Sequence, residues 1–215
     1  MLLDVDGTLV DTNDAHANAW HDAFAERDID IAPARVRRLI GMGGEYVIEL
    51  VAGYPKGTPE HDELSERHGE IFRERYLDRV HAFPRTRELV LLLRAEGYAY
   101  AIATSGKPHD LGTLLEIADI DDLCEIATTA EDVEHAKPSP DVIEAARARL
   151  PCERQRIVLI GDTPYDIRAA RGAGIQTIGM ACGGFPPEQL AGALEIFASP
   201  ADLVARWRSS SLGGT

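Results

Sequence analysis

Six short apolar runs recur along this chain, each followed by a stretch with helical spacing, and that alternation constrains the fold more than any other feature. The runs are Leu2–Val5, Tyr98–Thr104, Glu125–Thr128, Ile157–Gly161, Gln176–Met180 and Glu195–Ala198. Strands that are apolar on both faces need cover on both sides. Helices between them supply it, so the pattern predicts an α/β core built on a parallel, doubly wound sheet. Two of the intervening helices are well marked. Ser139 and Pro140 suit the N-cap and first helical position ahead of a stripe of Val142, Ile143, Ala146 and Leu150. Leu89, Leu92 and Leu93 form a second stripe that stops before Gly97.

Residues 13–80 break this rhythm. They show helical spacing, many charges, Gly41-Met42-Gly43-Gly44 in the middle, and no convincing strand. The simplest account is a helical insertion between the first and second strands. It would lie over the carboxyl ends of the strands, where open α/β sheets hold their ligands. The expected division is therefore a core of residues 1–12 and 81–208, a helical cap of residues 13–80 and a flexible tail of residues 209–215. Only Met1, Leu2 and Leu3 precede Asp4, so the first strand is expected to be short.

Composition narrows the partners. With 45% hydrophobic and 27% charged residues the chain has the means to build a core. Its formal net charge of −14 repels nucleic acid and anionic membrane, which argues against both, and any phosphate site must bring its own cations. Cys124, Cys152 and Cys182 are scattered, without a CxxC pair, which fits a reducing compartment. Asp4 and Asp6 interrupt the opening apolar residues, so no signal peptide is expected, and no apolar run approaches the ~20 residues that span a bilayer. The expected location is the cytoplasm. Nothing in the sequence fixes the oligomeric state.

Four polar clusters sit at the ends of the apolar runs. The first is Asp4-Val5-Asp6-Gly7-Thr8-Leu9-Val10-Asp11-Thr12, in which residues 4 and 6 of a strand point to one face. The second is Thr104-Ser105-Gly106-Lys107, whose hydroxyls and backbone N–H groups suit phosphate oxygens. The third is Lys137, before Pro138-Ser139-Pro140, and the fourth is Gly161-Asp162-Thr163-Pro164-Tyr165-Asp166. Each alone has an ordinary structural reading: a polar strand end, a helix cap, a solvated lysine, a capping box closed by Asp166 on Thr163. Together they are more specific. Carboxylates gathered at sheet ends repel one another unless a cation is present, and oxygen-only ligands suit Mg²⁺. Oxygen ligands, a cation for a dianion and a free carboxylate are what phosphoryl transfer needs.

These four clusters in this order resemble the four motifs of the haloacid dehalogenase superfamily, and residues 13–80 resemble its helical cap. The similarity covers essentially the whole chain and is strongest to phosphoglycolate phosphatase and β-phosphoglucomutase-like enzymes. It implies a Rossmann-like core and a Mg²⁺-dependent phosphohydrolase acting on a small phosphorylated metabolite. By that resemblance Asp4 is the nucleophile that becomes phosphorylated, and Asp6 protonates the leaving oxygen and then deprotonates water. Thr104, Ser105 and Lys137 hold the phosphoryl oxygens. Mg²⁺ is held by Asp4, the Asp6 carbonyl and Asp162, with Asp166 ordering that shell. Asp6 argues against true dehalogenase chemistry, which has no phosphate leaving group to protonate.

Two features of the cap bear on substrate. His16 and Trp20, at i and i+4, share a helix face and resemble a His-x-x-x-Trp of the mutases, although packing of one ring on the other explains the pair equally well. Gly41, Gly43 and Gly44 depart from the mutases, which carry an arginine near the position of Gly44 to grip a second phosphate. That departure favours hydrolysis, with Arg37, Arg38 or another basic residue as a possible substitute. A receiver-like phosphate-sensing module also offers an aspartate, a lysine and Mg²⁺, but it would lack both a second carboxylate such as Asp6 and a lid.

Overall fold

Alternate residues of each strand go to opposite faces, and the two faces are covered by different helices. The computed structural model describes residues 1–213. Its sheet contains β1 (Leu2–Leu3), β2 (Ala101–Ala103), β3 (Ala127–Thr128), β4 (Val158–Gly161), β5 (Gln176–Met180) and β6 (Glu195–Phe197). All pairings are parallel and the spatial order is β3-β2-β1-β4-β5-β6. Leu3 stands in register with Ile102 on one side and Ile160 on the other.

Leu3, Ile102, Ile160 and Ile178 bury against α5 (Thr86–Ala95), α6 (Pro108–Ile117) and α9 (Pro200–Arg206), which contribute Leu89, Leu114 and Leu203. Leu2, Ala101, Ala103 and Leu159 bury against α7 (Asp141–Ala148) and α8 (Pro164–Gly172), through Val142, Ile143, Ala146, Ala169 and Ala170. The small residues of β2 and α8 let the helices of this second face lie close. The two-sided cover is what makes the strands read as unbroken apolar runs.

The ladders are shorter than the apolar runs at several ends. β1 is only two residues long, yet it is central, and Asp4 N–H still donates to Ile160 O at 3.0 Å. Ser139 does not cap α7. Pro140 is the cap residue, and the Ser139 hydroxyl donates instead to Asp141 Oδ1 at 2.7 Å.

Between β1 and β2 the chain leaves the sheet and forms α1 (Asn13–Ala25), α2 (Pro33–Arg37), α3 (Gly44–Ala52) and α4 (Pro59–Ile71), followed by irregular helical turns to Arg79. Outward and return crossings lie side by side. Val10 bridges Ala82, and Asp11 N–H donates to His81 O at 2.9 Å. The segment from Ser209, expected to be loose, is packed as far as it is described. The Tyr98 hydroxyl donates to Leu212 O at 2.7 Å, Ser211 N–H donates to Glu195 Oε2 at 2.8 Å, and Ser210 and Leu212 are buried. Residues 214–215 lie outside the described residues. No helix among those described is long and apolar enough to cross a membrane.

Candidate active site

All four polar clusters fall at the carboxyl ends of the strands. Asp4 leaves β1 in the ladder, and Gly7, at φ +74°, turns the chain away beside it. A side chain at Gly7 would also be strained for space, because its Cβ would lie 2.1 Å from Asn13 Nδ2 and 2.3 Å from Asp162 Oδ2. Asp162 follows β4, directly alongside. Asp166 occupies the third position of α8, where its Oδ2 accepts from the Thr163 N–H at 3.0 Å and the Thr163 hydroxyl at 2.6 Å. That capping box turns Asp166 Oδ1 inward.

Lys137, only 1% exposed, reaches into this cluster. Its Nζ donates to Asp4 Oδ1 at 2.6 Å and to Ala103 O at 2.7 Å, and lies 2.8 Å from Asp166 Oδ1. The Thr8 hydroxyl lies 3.0 Å from Asp4 Oδ2 and 2.9 Å from Asp162 Oδ1. Asn13 Nδ2 donates to Asp162 Oδ2 at 2.8 Å and to Gly183 O at 2.9 Å. The three carboxylates of Asp4, Asp162 and Asp166 are all buried and offer oxygens within 4.8 Å of one another.

One ammonium does not balance three buried carboxylates. Burial, with the charges of Asp166 and Asp6 adding to it against Lys137, pushes the Asp4 carboxyl up to about 7. Burial also raises Asp162 well above the ordinary carboxyl range, with Asp4 and Asp166 reinforcing it. Lys137 stays charged: burial would lower it, but Asp166 and Asp4 hold it above its ordinary value. The single Thr8 hydroxyl proton also cannot serve two ionised carboxylates. This donor set, oxygen-only and short of positive charge, fits a hard divalent cation. Asn13, whose Nδ2 faces Asp162, has its Oδ1 buried without a hydrogen-bond partner.

Asp6 is set apart from that trio. Its carboxylate turns toward the helical segment, where Oδ1 accepts from the Thr12 hydroxyl at 2.8 Å and from His16 Nε2 at 3.2 Å, while the Thr104 hydroxyl lies 3.4 Å from Oδ2. Burial opposes ionisation there, but the bonds from His16 and Thr12 outweigh it and hold Asp6 below its ordinary value. Two carboxylates two residues apart thus sit in different surroundings and are driven in opposite directions, Asp4 upward among buried carboxylates and Asp6 downward beside His16 and Thr12. Ser105 Oγ accepts from Lys137 N–H at 3.2 Å, and Thr104 Oγ1 accepts from Gly106 N–H at 2.9 Å.

A cavity of about 260 Å³ opens between the strand ends and the helical segment, with Asp4, Asp6 and Thr104 at its floor and Trp20, Met42 and Leu114 among its walls. His16, Gly41 and Gly44 also line it, whereas Gly43 does not. Gly43 meets the core as backbone: its N–H donates to Lys137 O at 2.9 Å, and a Cβ would fall 2.2 Å from Ala136 Cβ. Arg37 and Arg38 do not reach the cavity. Arg37 Nε donates to Asp14 Oδ1 at 2.5 Å and its Nη2 to Gly183 O, while Arg38 is exposed.

Thr8, Asn13 and His68 are joined to the site without any single-position signal for it. Thr8 and Asn13 lie within or next to the first motif, so their presence at the strand end is readable, but their partner is 149 or more residues away. Gly183 comes from the loop after β5, the neighbouring strand end.

Residues 1–180 match the haloacid dehalogenase-like hydrolase family. The chain is 29% identical over 193 residues to the probable phosphatase IndB of Dickeya dadantii, covering 88% of this chain and 84% of that protein. It is 28% identical over 192 residues to the pyrophosphatase PpaX of Bacillus velezensis, covering 84% and 82%. A solved hydrolase from Pseudomonas syringae superposes with a TM-score of 0.88 at 31% identity over 97% of each chain. With the family match spanning β1 to β5 and the strand-end carboxylates, this chain belongs to the haloacid dehalogenase-like hydrolases and is an enzyme related to their phosphatases.

Proposed function

We propose that this enzyme is a Mg²⁺-dependent phosphomonoesterase that hydrolyses a small phosphorylated metabolite by way of a phosphoryl group carried on Asp4. The observation that carries the reading is the division of labour between Asp4, clamped by Lys137 beside two further carboxylates, and Asp6, turned to the other side of the same cavity floor.

In this reading an Asp4 carboxylate oxygen attacks phosphorus as the bond to the leaving oxygen breaks, and Asp6 gives that oxygen its proton. Asp6 then takes a proton from water as the water attacks phosphorus and frees Asp4. Lys137 offsets charge on the phosphoryl group and keeps one Asp4 oxygen fixed, while the Thr104 hydroxyl and the Ser105 backbone grip equatorial oxygens. Asp4, Asp162 and the Asp6 carbonyl would hold Mg²⁺, which when bound neutralises the carboxylates and the incoming dianion. Asp166 orders the set through Lys137. The helical segment acts as the cap that excludes bulk water and meets the leaving group.

Hydrolysis is favoured over mutase chemistry by the charge of the cap. Gly44 sits against Trp20, and a Cβ there would be 3.1 Å from Trp20 Cζ2, so a side chain at this position would press the ring back by a few tenths of an ångström. The next residue, Glu45, lines the cavity as an anion paired with Lys56. No arginine among the described residues lines the cavity; its lysines are Lys56, paired with Glu45, and Lys107, which donates to Ser65 O at 3.1 Å. The test is turnover of p-nitrophenyl phosphate and a panel of phosphometabolites by wild type and Asp4→Asn. Repeated turnover by Asp4→Asn, above background, would falsify the covalent mechanism.

A further inference from the structure

A second histidine stands behind the one that touches Asp6. His16 Nε2 is 3.2 Å from Asp6 Oδ1, and His16 Nδ1 is 3.4 Å from His68 Nε2 on α4, 52 residues later. Each imidazole is also fixed in its plane by an aromatic ring. His16 stacks on Phe72, with centroids 4.0 Å apart and 11° between planes, and His68 stacks on Trp20 at 3.9 Å and 8°. Both histidines line the cavity.

We propose that His68 is a positioning residue for the acid/base step: it holds His16 in the one tautomer that can donate to Asp6. Asp6 Oδ1 accepts from the Thr12 hydroxyl and lies 3.2 Å from His16 Nε2; with the exchangeable proton on Oδ2 this oxygen is an acceptor, so His16 must carry its proton on Nε2. Neutral imidazole with the proton on Nδ1 would face Asp6 with a lone pair and cost it a donor. A His68 Nε2–H aimed at His16 Nδ1 removes that alternative. Burial holds His68 well below its ordinary range, so it faces His16 as a neutral ring. The consequence falls on one atom. Asp6 Oδ1 is tied by His16 and Thr12, which leaves Oδ2 as the oxygen that carries the proton to the leaving group and takes one from water. The cap then contributes to chemistry as well as enclosure, because α4 must pack on α1 for the pair to meet.

This inference rests on Asp6 being the acid/base of the proposed reaction, and its test separates the two. An acid matters most when the leaving group is poor. We expect His68→Phe, which keeps a ring against Trp20 but loses Nε2, to lower kcat/KM for an alkyl phosphate such as glycerol phosphate by about tenfold or more. The loss for p-nitrophenyl phosphate, whose phenolate leaves without a proton, should be several-fold smaller. His68→Gln, which retains an N–H donor, should recover part of the loss on the alkyl ester, and it also serves if the Phe variant folds poorly. Equal losses on both esters in both variants would reduce His68 to a packing role, and no loss on either would remove it from the mechanism. If instead Asp4→Asn turned over either ester, the underlying reading would fail, whatever His68 did.

Discussion

Replacing Asp4 by asparagine should change stability in a pH-dependent way that follows from the crowding of buried carboxylates. In the folded chain without a divalent cation, burial and neighbouring charges push Asp4 from its ordinary 3.8 up to about 7. A group whose folded value lies above its unfolded one contributes stability that is fully present below pH 3.8 and is lost as pH rises through 7. Between pH 5 and pH 8 that loss amounts to roughly 2–3 kcal/mol. Asparagine has no such titration, so Asp4→Asn should gain on wild type by about this amount over the same interval. Asp162, raised partly by the Asp4 charge, moves the difference in the same direction. The amino terminus and His68, both lowered by burial, act with the opposite sign, losing stability as pH falls. The comparison is therefore between variant and wild type at each pH, where their contributions largely cancel. For a chain of this size the expected change in the Tm difference is roughly 5–10 °C. Thermal or urea unfolding in chelator at pH 5 and pH 8 measures it. Mg²⁺ at about 100 times its Kd should then stabilise wild type at pH 8 by roughly 2.7 kcal/mol and the variant far less. A Tm difference that is the same at both pH values would refute the claim that these carboxylates lack enough positive charge.

Three further outcomes are expected. Exhaustive chelation should abolish phosphate release and Mg²⁺ restore it, whereas Ca²⁺, which prefers more oxygens at longer distance, should not; colorimetric phosphate assay decides. Gly183→Ala should lower stability by about 1–3 kcal/mol and kcat by roughly tenfold or more, because its Cβ would lie 1.8 Å from Asp162 Oδ2; melting curves and steady-state rates with p-nitrophenyl phosphate check both. With β-glucose 1-phosphate and a trace of glucose 1,6-bisphosphate, a coupled glucose 6-phosphate dehydrogenase assay should show less mutase flux than phosphate release from the enzyme's preferred monoester.

The sheet is legible in the sequence because burial on two faces leaves a simple imprint: Leu2 and Leu3, or Leu159 and Ile160, must both be apolar though they face different helices. The strand-end carboxylates are legible for a related reason, since a charge that ends a buried strand has few places to go. What escapes is whatever depends on distance in space. The Ser-rich end of the chain reads as loose, yet the Tyr98 hydroxyl pins Leu212 from 114 residues away. Asp4 and Asp6 read as a convergent pair, but only the fold reveals that Asp6 turns to Thr12 and His16 while Asp4 turns to Lys137. His68 carries no signal because its meaning comes from His16.

The glycines of the cap show how far such a reading goes and what completes it. From the sequence, Gly44 is an absence, a place where an arginine grip is missing. In the fold the position is occupied, since the Trp20 ring fills the space a side chain would take and at the same time stacks on His68. The same tryptophan therefore crowds position 44 and stacks on the histidine that lies 3.4 Å from His16. Position 44 and the proposed support of Asp6 are thus linked through one side chain. An arginine at Gly44 would press on Trp20 by a few tenths of an ångström, and through the stacked ring on His68. The cap position that departs from the mutases and the ring stacked on His68 therefore have to be read together, which neither Gly44 nor Trp20 shows when taken alone.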